Sequence, residues 1–184
     1  YNIKHIKNIY FNYLMCGIYS VLNPTKNNNY YLSFNNGKDR GPENSNYLLE
    51  NDGLIIGFHR LAINGLNDMS GQPMKKYGYT LVCNGEIYNY KKLYGLINLK
   101  QTTYSDCEII LDLYHHYGID YTLEMLDGVF AFVLYDSTIN TVYCARDIYG
   151  VRPLFVGTNK CDASVGLSSE LKMIDNDFDT IKQC

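Results

Sequence analysis

Four short apolar runs late in the chain most constrain its fold. They are Val129 to Tyr135, Thr141 to Ala145, Leu154 to Gly157 and Val165 to Ser169. Each is strand-length, and they follow one another at hairpin spacing, the first two joined by Asp136 to Asn140. Cys16 to Leu22, Leu54 to Ile63 and Tyr79 to Cys83 have the same character. Helical patterns fall between some of these strands. Such an order points to the α+β class, with antiparallel sheets covered by helices. The 184 residues suffice for one well-buried domain, and no internal repeat or second domain is visible.

The connections read as follows. Asn23-Pro24 ends the first strand. Thr25 to Asp39 holds two Asn-rich stretches around Tyr30-Tyr31-Leu32-Ser33-Phe34, which makes it a weak, short helix or a loop. Arg40-Gly41-Pro42-Glu43 is a rigid turn, and Gly65 to Pro73 is a loop. The strand from Tyr79 ends sharply at Asn84-Gly85, and Tyr90 to Ile97 is a short helix. Ser105-Asp106-Cys107-Glu108 has the form of a capping box, with Ser105 as cap and Glu108 reaching back. The helix it opens runs to Tyr117, where Gly118 stops it, and Thr122 to Leu126 adds another helical turn. The polar tail from Ile174 to Cys184 carries no pattern of its own, and the domain reads as cut short there.

The net charge of -3 gives no strong field for nucleic acid or a membrane surface. The 19 Tyr and absent Trp reflect coding bias rather than chemistry. None of the six cysteines is spaced as Cys-x-x-Cys, and no His pair has metal-ligand spacing, so no metal site is expected. Cys83, Cys107 and Cys144 sit in apolar runs and read as core. A reducing, cytoplasmic setting fits. No run is long enough to span a membrane. Asn8 and Asn12 interrupt the first 14 residues, which therefore do not read as a signal peptide. Residues 1–15 read as upstream sequence or a pro-segment, expected to be absent or removed.

Met15-Cys16-Gly17 allows a particular chemistry. If Met15 is the initiator and is trimmed, Cys16 becomes the first residue and carries a thiol beside a free α-amine. Ordinary values for these groups are about 8.5 and about 7.7–8.0. The amine can then act as the base that makes the thiolate, without a histidine. On these residues alone, a small buried cysteine is the simpler reading.

Further motifs stand in order along the chain. They are Phe58-His59-Arg60-Leu61-Ala62-Ile63, Asn84-Gly85-Glu86-Ile87-Tyr88-Asn89 and Ser105-Asp106-Cys107-Glu108. Supporting runs are Arg40-Gly41-Pro42-Glu43, Gly71-Gln72-Pro73, Leu126 to Phe132, Ala145 to Leu154 and Ser168 to Lys172. As an ordered set from Met15 to about Lys172, these resemble the class II, N-terminal-nucleophile glutamine amidotransferases. Within that family they are most similar to the glutaminase domain of glutamine-hydrolysing asparagine synthetases.

The resemblance implies a four-layer αββα sandwich and glutamine hydrolysis through a Cys16 thioester. It implies an oxyanion hole from the Asn84 amide and the Gly85 N–H. It implies that Arg60 grips the substrate carboxylate and Asp106 its ammonium, with further contacts from Glu86 and the backbone at Leu61 and Ile63. The domain implied is 16–184, with L-glutamine as substrate. A C-terminal synthetase domain using ATP and Mg is implied outside this chain, and a homodimer is left open. Two alternatives stand beside this reading: the glutaminase half of another class II amidotransferase, and a non-catalytic glutamine-sensing or assembly remnant. From the residues alone, His59 faces away from Arg60 along its strand, His115-His116 is solvated late in a helix, and Asp147 and Arg152 hold a turn.

Overall fold

Side-chain alternation along the strands sorts the apolar residues into three clusters, and these define the architecture. The computed structural model describes residues 15–50, 53–61 and 71–184. The strands are β1 Gly17–Leu22, β2 Asn44–Glu50, β3 Leu54–Arg60, β4 Met74–Lys76, β5 Tyr79–Ile87, β6 Gly128–Asp136, β7 Thr141–Arg146, β8 Phe155–Thr158, β9 Val165–Ser168 and β10 Thr180–Gln183. The helices are α1 Tyr30–Asn35, α2 Tyr90–Ile97 and α3 Glu108–Met125. Every strand pair is antiparallel. One sheet has the order β10-β8-β9-β1-β3-β2 and the other β4-β5-β6-β7.

Ile18, Leu54, Ile56 and Phe58 of the first sheet pack with Val82, Ala131, Val133 and Tyr135 of the second. On the far face of the second sheet, Leu81, Cys83, Phe132 and Leu134 pack against Leu93, Ile109, Ile110 and Leu113 of α2 and α3. On the far face of the first, Tyr19, Val21 and Ile55 meet Tyr30 and Phe34 of α1, together with Met173 and Phe178. Period-two burial on both sheet faces therefore organises the core.

The α+β, antiparallel expectation holds, and α2 falls where it was read. Gly118, at φ +79°, breaks α3 into two helical stretches, as its position suggested. Several expectations need correction. The capping box does not form: the α3 N-cap is Cys107, without a side-chain cap, and the Glu108 carboxylate accepts from Thr102 and Thr103 instead. A longer-range set of donors has won over the local motif. The strand from Tyr79 does not stop at Asn84-Gly85 but continues to Ile87, because β6 pairs along its whole length. Cys144 is exposed rather than core, since β7 is an edge strand. Strands β2 and β4 escaped the sequence reading, and the tail supplies β10 on the outer edge of the larger sheet. None of the described helices is long and apolar enough to cross a membrane. Residues 1–14 lie outside the described residues.

Candidate active site

Strand register brings the inward-facing residues of three strands to one end of the inter-sheet space. Gly17 pairs with His59, which sets Cys16 beside Arg60. Asn84 and Glu86 share the inward face of β5 with Val82. A cleft of about 620 Å³, its open mouth included, is lined by Cys16, Arg60, Leu61, Asn84, Gly85, Glu86, Asp106 and Arg152, among others. Every site residue expected from the sequence is therefore in one place except Ile63, which lies outside the described residues.

The thiol and its backbone are held from several sides. Cys16 Sγ lies 3.4 Å from both the N–H and the carbonyl oxygen of Leu61. Arg40 Nε–H donates to the Cys16 carbonyl at 3.0 Å, while its Nη1 reaches Glu170 at 3.0 Å. Two residues on, Ile18 N–H donates to Ser169 Oγ at 3.0 Å. Gly41 permits this arrangement, because a β-carbon there would lie 2.5 Å from the backbone of His59 and Arg60. Burial pushes the Cys16 thiol up from its ordinary value. The Leu61 N–H works in the other direction, Cys83 adds to the rise, and the Arg40 and Arg152 charges oppose it. With Met15 still attached, burial therefore favours the neutral thiol.

Asn84 and Gly85 are ladder residues of β5, paired with Ala131 and Phe130. Asn84 is 2% exposed, and among the described residues its amide nitrogen has no hydrogen-bond partner. A buried donor of this kind is costly unless something completes it. The backbone of Cys83 points away from β6, its N–H donating to Gln72 Oε1 and its carbonyl accepting from Gln72 Nε2. Ile87 N–H likewise donates to Asp106 Oδ2 at 2.6 Å. By alternation, the Gly85 N–H faces the same edge, between these two. Gly85 is glycine for steric reasons: a β-carbon would lie 2.4 Å from the Val129 carbonyl oxygen.

Asp106 is 8% exposed and enters the cleft from the turn before α3. Burial raises its carboxyl above the ordinary range. The N–H of Ile87 opposes this rise, and nearby Glu86 adds to it. A cationic group beside Asp106 would reverse that shift. Arg60 and Glu86 stand on facing sheets across the same space.

Gln72, Arg40 and Ser169 had no assigned side-chain role in the sequence reading, and Arg152 was read only as holding a turn. Gln72 clamps the backbone of β5 beside the oxyanion candidates. Arg152 lines the cleft with its Nη1 against Met15 Sδ, while its buried Nε has no partner among the described residues. Arg40 and Ser169 hold the strand that bears the thiol. Their motifs stood in the sequence, but only chain pairing reveals what they touch. Asp147 does hold its turn, accepting from the N–H groups of Phe130, Val151 and Arg152. His59 is fully buried and stacked on Phe34 at 3.9 Å between centroids, on the outer face of its sheet. His115 and His116 are exposed.

A thiol, an uncompleted amide donor and paired charge-recognition groups in one cleft suit attack on a carboxamide. The model of the glutamine amidotransferase domain matches residues 15–183. This chain belongs to the glutamine amidotransferase domain family. Among similar proteins, the asparagine synthetase (glutamine-hydrolysing) of Gallus gallus is 46% identical over 123 residues, covering 66% of this chain and 22% of that protein. The protein of the same name from Homo sapiens is 48% identical over 119 residues, covering 64% and 21%. A Dictyostelium discoideum protein named probable asparagine synthetase (glutamine-hydrolysing) is 41% identical over 174 residues, covering 89% and 30%. The chain thus spans between 21% and 30% of the length of these relatives. In this amidotransferase domain the cleft lies at the end of the sheet sandwich where β1 begins and β3 ends.

Proposed function

We propose that this domain hydrolyses L-glutamine to glutamate and ammonia, with Cys16 as nucleophile. The observation that carries this reading is the buried amide of Asn84, without a partner among the described residues, in the cleft that also holds the Cys16 thiol. A developing oxyanion requires a donor already in place and free to reach it.

The chemistry follows from the groups in the cleft. Loss of Met15 frees the Cys16 α-amine, which takes the thiol proton directly or through one water. The thiolate attacks the side-chain carboxamide carbon of glutamine. The carbonyl electrons move onto oxygen, where the Asn84 amide and the Gly85 N–H stabilise the charge. Collapse of the intermediate breaks the C–N bond, ammonia leaves with the proton held by the amine, and a thioester remains. Water then adds to the thioester and releases glutamate and the free thiol.

Arg60 grips the substrate α-carboxylate with its planar fork. Asp106 faces the α-ammonium, whose arrival offsets the cost of the buried carboxylate. Glu86 and the backbone at Leu61 and Ile63 complete the fit. The three core clusters support a four-layer αββα N-terminal-nucleophile sandwich, with the domain beginning at Cys16. Similarity to asparagine synthetases supports ammonia delivery to ATP- and Mg-dependent amidation of aspartate, by a synthetase segment outside this chain, in the cytoplasm.

Intact-mass analysis tests the mechanism. Active protein should begin at Cys16, and a glutamine-like diazoketone should label Cys16 and none of the other five cysteines. Full activity in protein that retains Met15 would overturn it.

A further inference from the structure

We propose that Glu108 is a positioning residue for glutamine recognition: it ties down the turn at residues 102–105 and so sets where Asp106 sits in the cleft. The inference rests on the reading of Asp106 as the ammonium partner.

The Glu108 side chain is 2% exposed, yet its carboxylate lacks nothing. It accepts from the N–H of Thr102 at 3.1 and 3.2 Å and from the N–H of Thr103 at 2.7 Å. Both threonine hydroxyls donate to it as well, that of Thr103 at 2.8 Å. Lys76 Nζ, arriving from β4, completes the set at 2.9 Å. The same lysine bonds Asp112, one turn further along α3. Burial alone would raise the Glu108 carboxyl, but the bonds from Thr102, Lys76 and Thr103 overcome it and hold the group below its ordinary range.

This many donors are not needed to begin a helix. Their effect is to fold the preceding turn onto the start of α3. Within that turn, Ser105 N–H donates to Thr103 Oγ1 at 3.1 Å, and Gln101 Nε2 donates to the Ser105 carbonyl at 2.9 Å. Asp106 is the next residue, and its other anchor is the Ile87 N–H on β5. The carboxylate in the cleft is therefore fixed from both sides, by the strand that carries Asn84 and by a turn that Glu108 staples. Lys76 links the staple to the same sheet through β4. Misplacing a binding group by about 1 Å can cost on the order of 10²-fold, so such a staple bears on function.

The test uses the full-length protein and two ligands that differ only at the ammonium: glutamine, and 5-amino-5-oxopentanoate, which is glutamine without its α-ammonium. Glu108→Gln should raise KM for glutamine by about tenfold or more and leave kcat within about twofold. The inhibition constant of 5-amino-5-oxopentanoate should not move. Thr103→Val, which removes one hydroxyl from the staple, should give the same pattern more weakly if Glu108→Gln fails to fold. Thr103→Ser should restore KM. Equal weakening of both ligands, or a fall in kcat with KM unchanged, would overturn the positioning role. Asp106→Asn is measured alongside. If it leaves KM for glutamine unchanged while Glu108→Gln raises it, the reading of Asp106 fails, and the staple acts on something else.

Discussion

Two polar clusters flank β5 and are built on opposite principles. On the helix-facing side, Asp112 is fully buried and accepts from Lys76, from Tyr77 at 2.9 Å and from Tyr94 at 3.0 Å, and neighbouring Glu108 is equally satisfied. On the cleft side, Asn84 keeps a buried donor without a partner among the described residues, and burial has raised both Cys16 and Asp106. One cluster is complete before any ligand arrives. The other is incomplete, and glutamine is proposed to complete it. Polar groups of the first kind hold a fold together, while those of the second cost stability in the empty state and are retained for what they bind.

The contrast can be broken most sharply at the thiol. Cys16→Ala should abolish glutamine hydrolysis and leave the melting temperature unchanged, because one small residue replaces another beside a fold that does not depend on it. Residual activity in a steady-state glutamate assay would remove Cys16 from its role. On the complete side, Asp112→Ala leaves Lys76 with Glu108 alone and removes the acceptor of the Tyr77 and Tyr94 hydroxyls. Truncating one partner of a buried charge network typically costs about 3–5 kcal/mol, and denaturant unfolding should register a loss of that order. A loss under about 1 kcal/mol would mean that the network is ornamental.

Asn84→Ala should lower kcat by roughly 10²–10³-fold with stability held or raised, since it deletes a buried donor that has no partner among the described residues. A rise in KM with kcat untouched would end the oxyanion assignment. Asp112 and Asn84 are thus expected to give opposite pairs of readouts, one structural and one catalytic.

The smallest effect concerns pH. His59 is buried as the neutral ring, with Nε2–H donating to the Phe34 carbonyl and Nδ1 accepting from Ser45. Burial lowers its pKa first. The Phe34 bond and Glu170 oppose that, and Lys38 adds to it. Because the folded value lies below the unfolded one, its contribution is whole above the ordinary histidine value, about 6.5, and is lost as pH falls through the folded value. Thermal melts from pH 7.5 to 5 should decline by a few degrees, and His59→Gln should flatten that part of the profile. An unchanged slope in the variant would assign the decline to other groups.

Much of this was legible in the residues. Period-two runs announced most of the strands, and the ordered motifs pointed to a thiol, an amide donor and a pair of charge-recognition residues. Local signals misled where distant partners outbid them. Ser105 to Glu108 looked like a capping box, but Lys76 and two threonines claimed the glutamate. Asn84-Gly85 looked like the end of a strand, but pairing with β6 continued past it. Strand β4 was invisible because three residues are too few to carry a period, and Ile63 lies outside the described residues.

The sequence by itself determined which way the key side chains face. Cys16, Arg60, Asn84 and Glu86 each fall in step with the inward apolar residues of their own strand, and alternation is a local property of the backbone. It could not determine that they meet. That depended on β1 pairing with β3 so that Gly17 opposes His59, and on two sheets stacking so that the end of β5 lies over the start of β1. Register and sheet packing are settled by contacts between residues far apart in the chain, which only the folded molecule brings together.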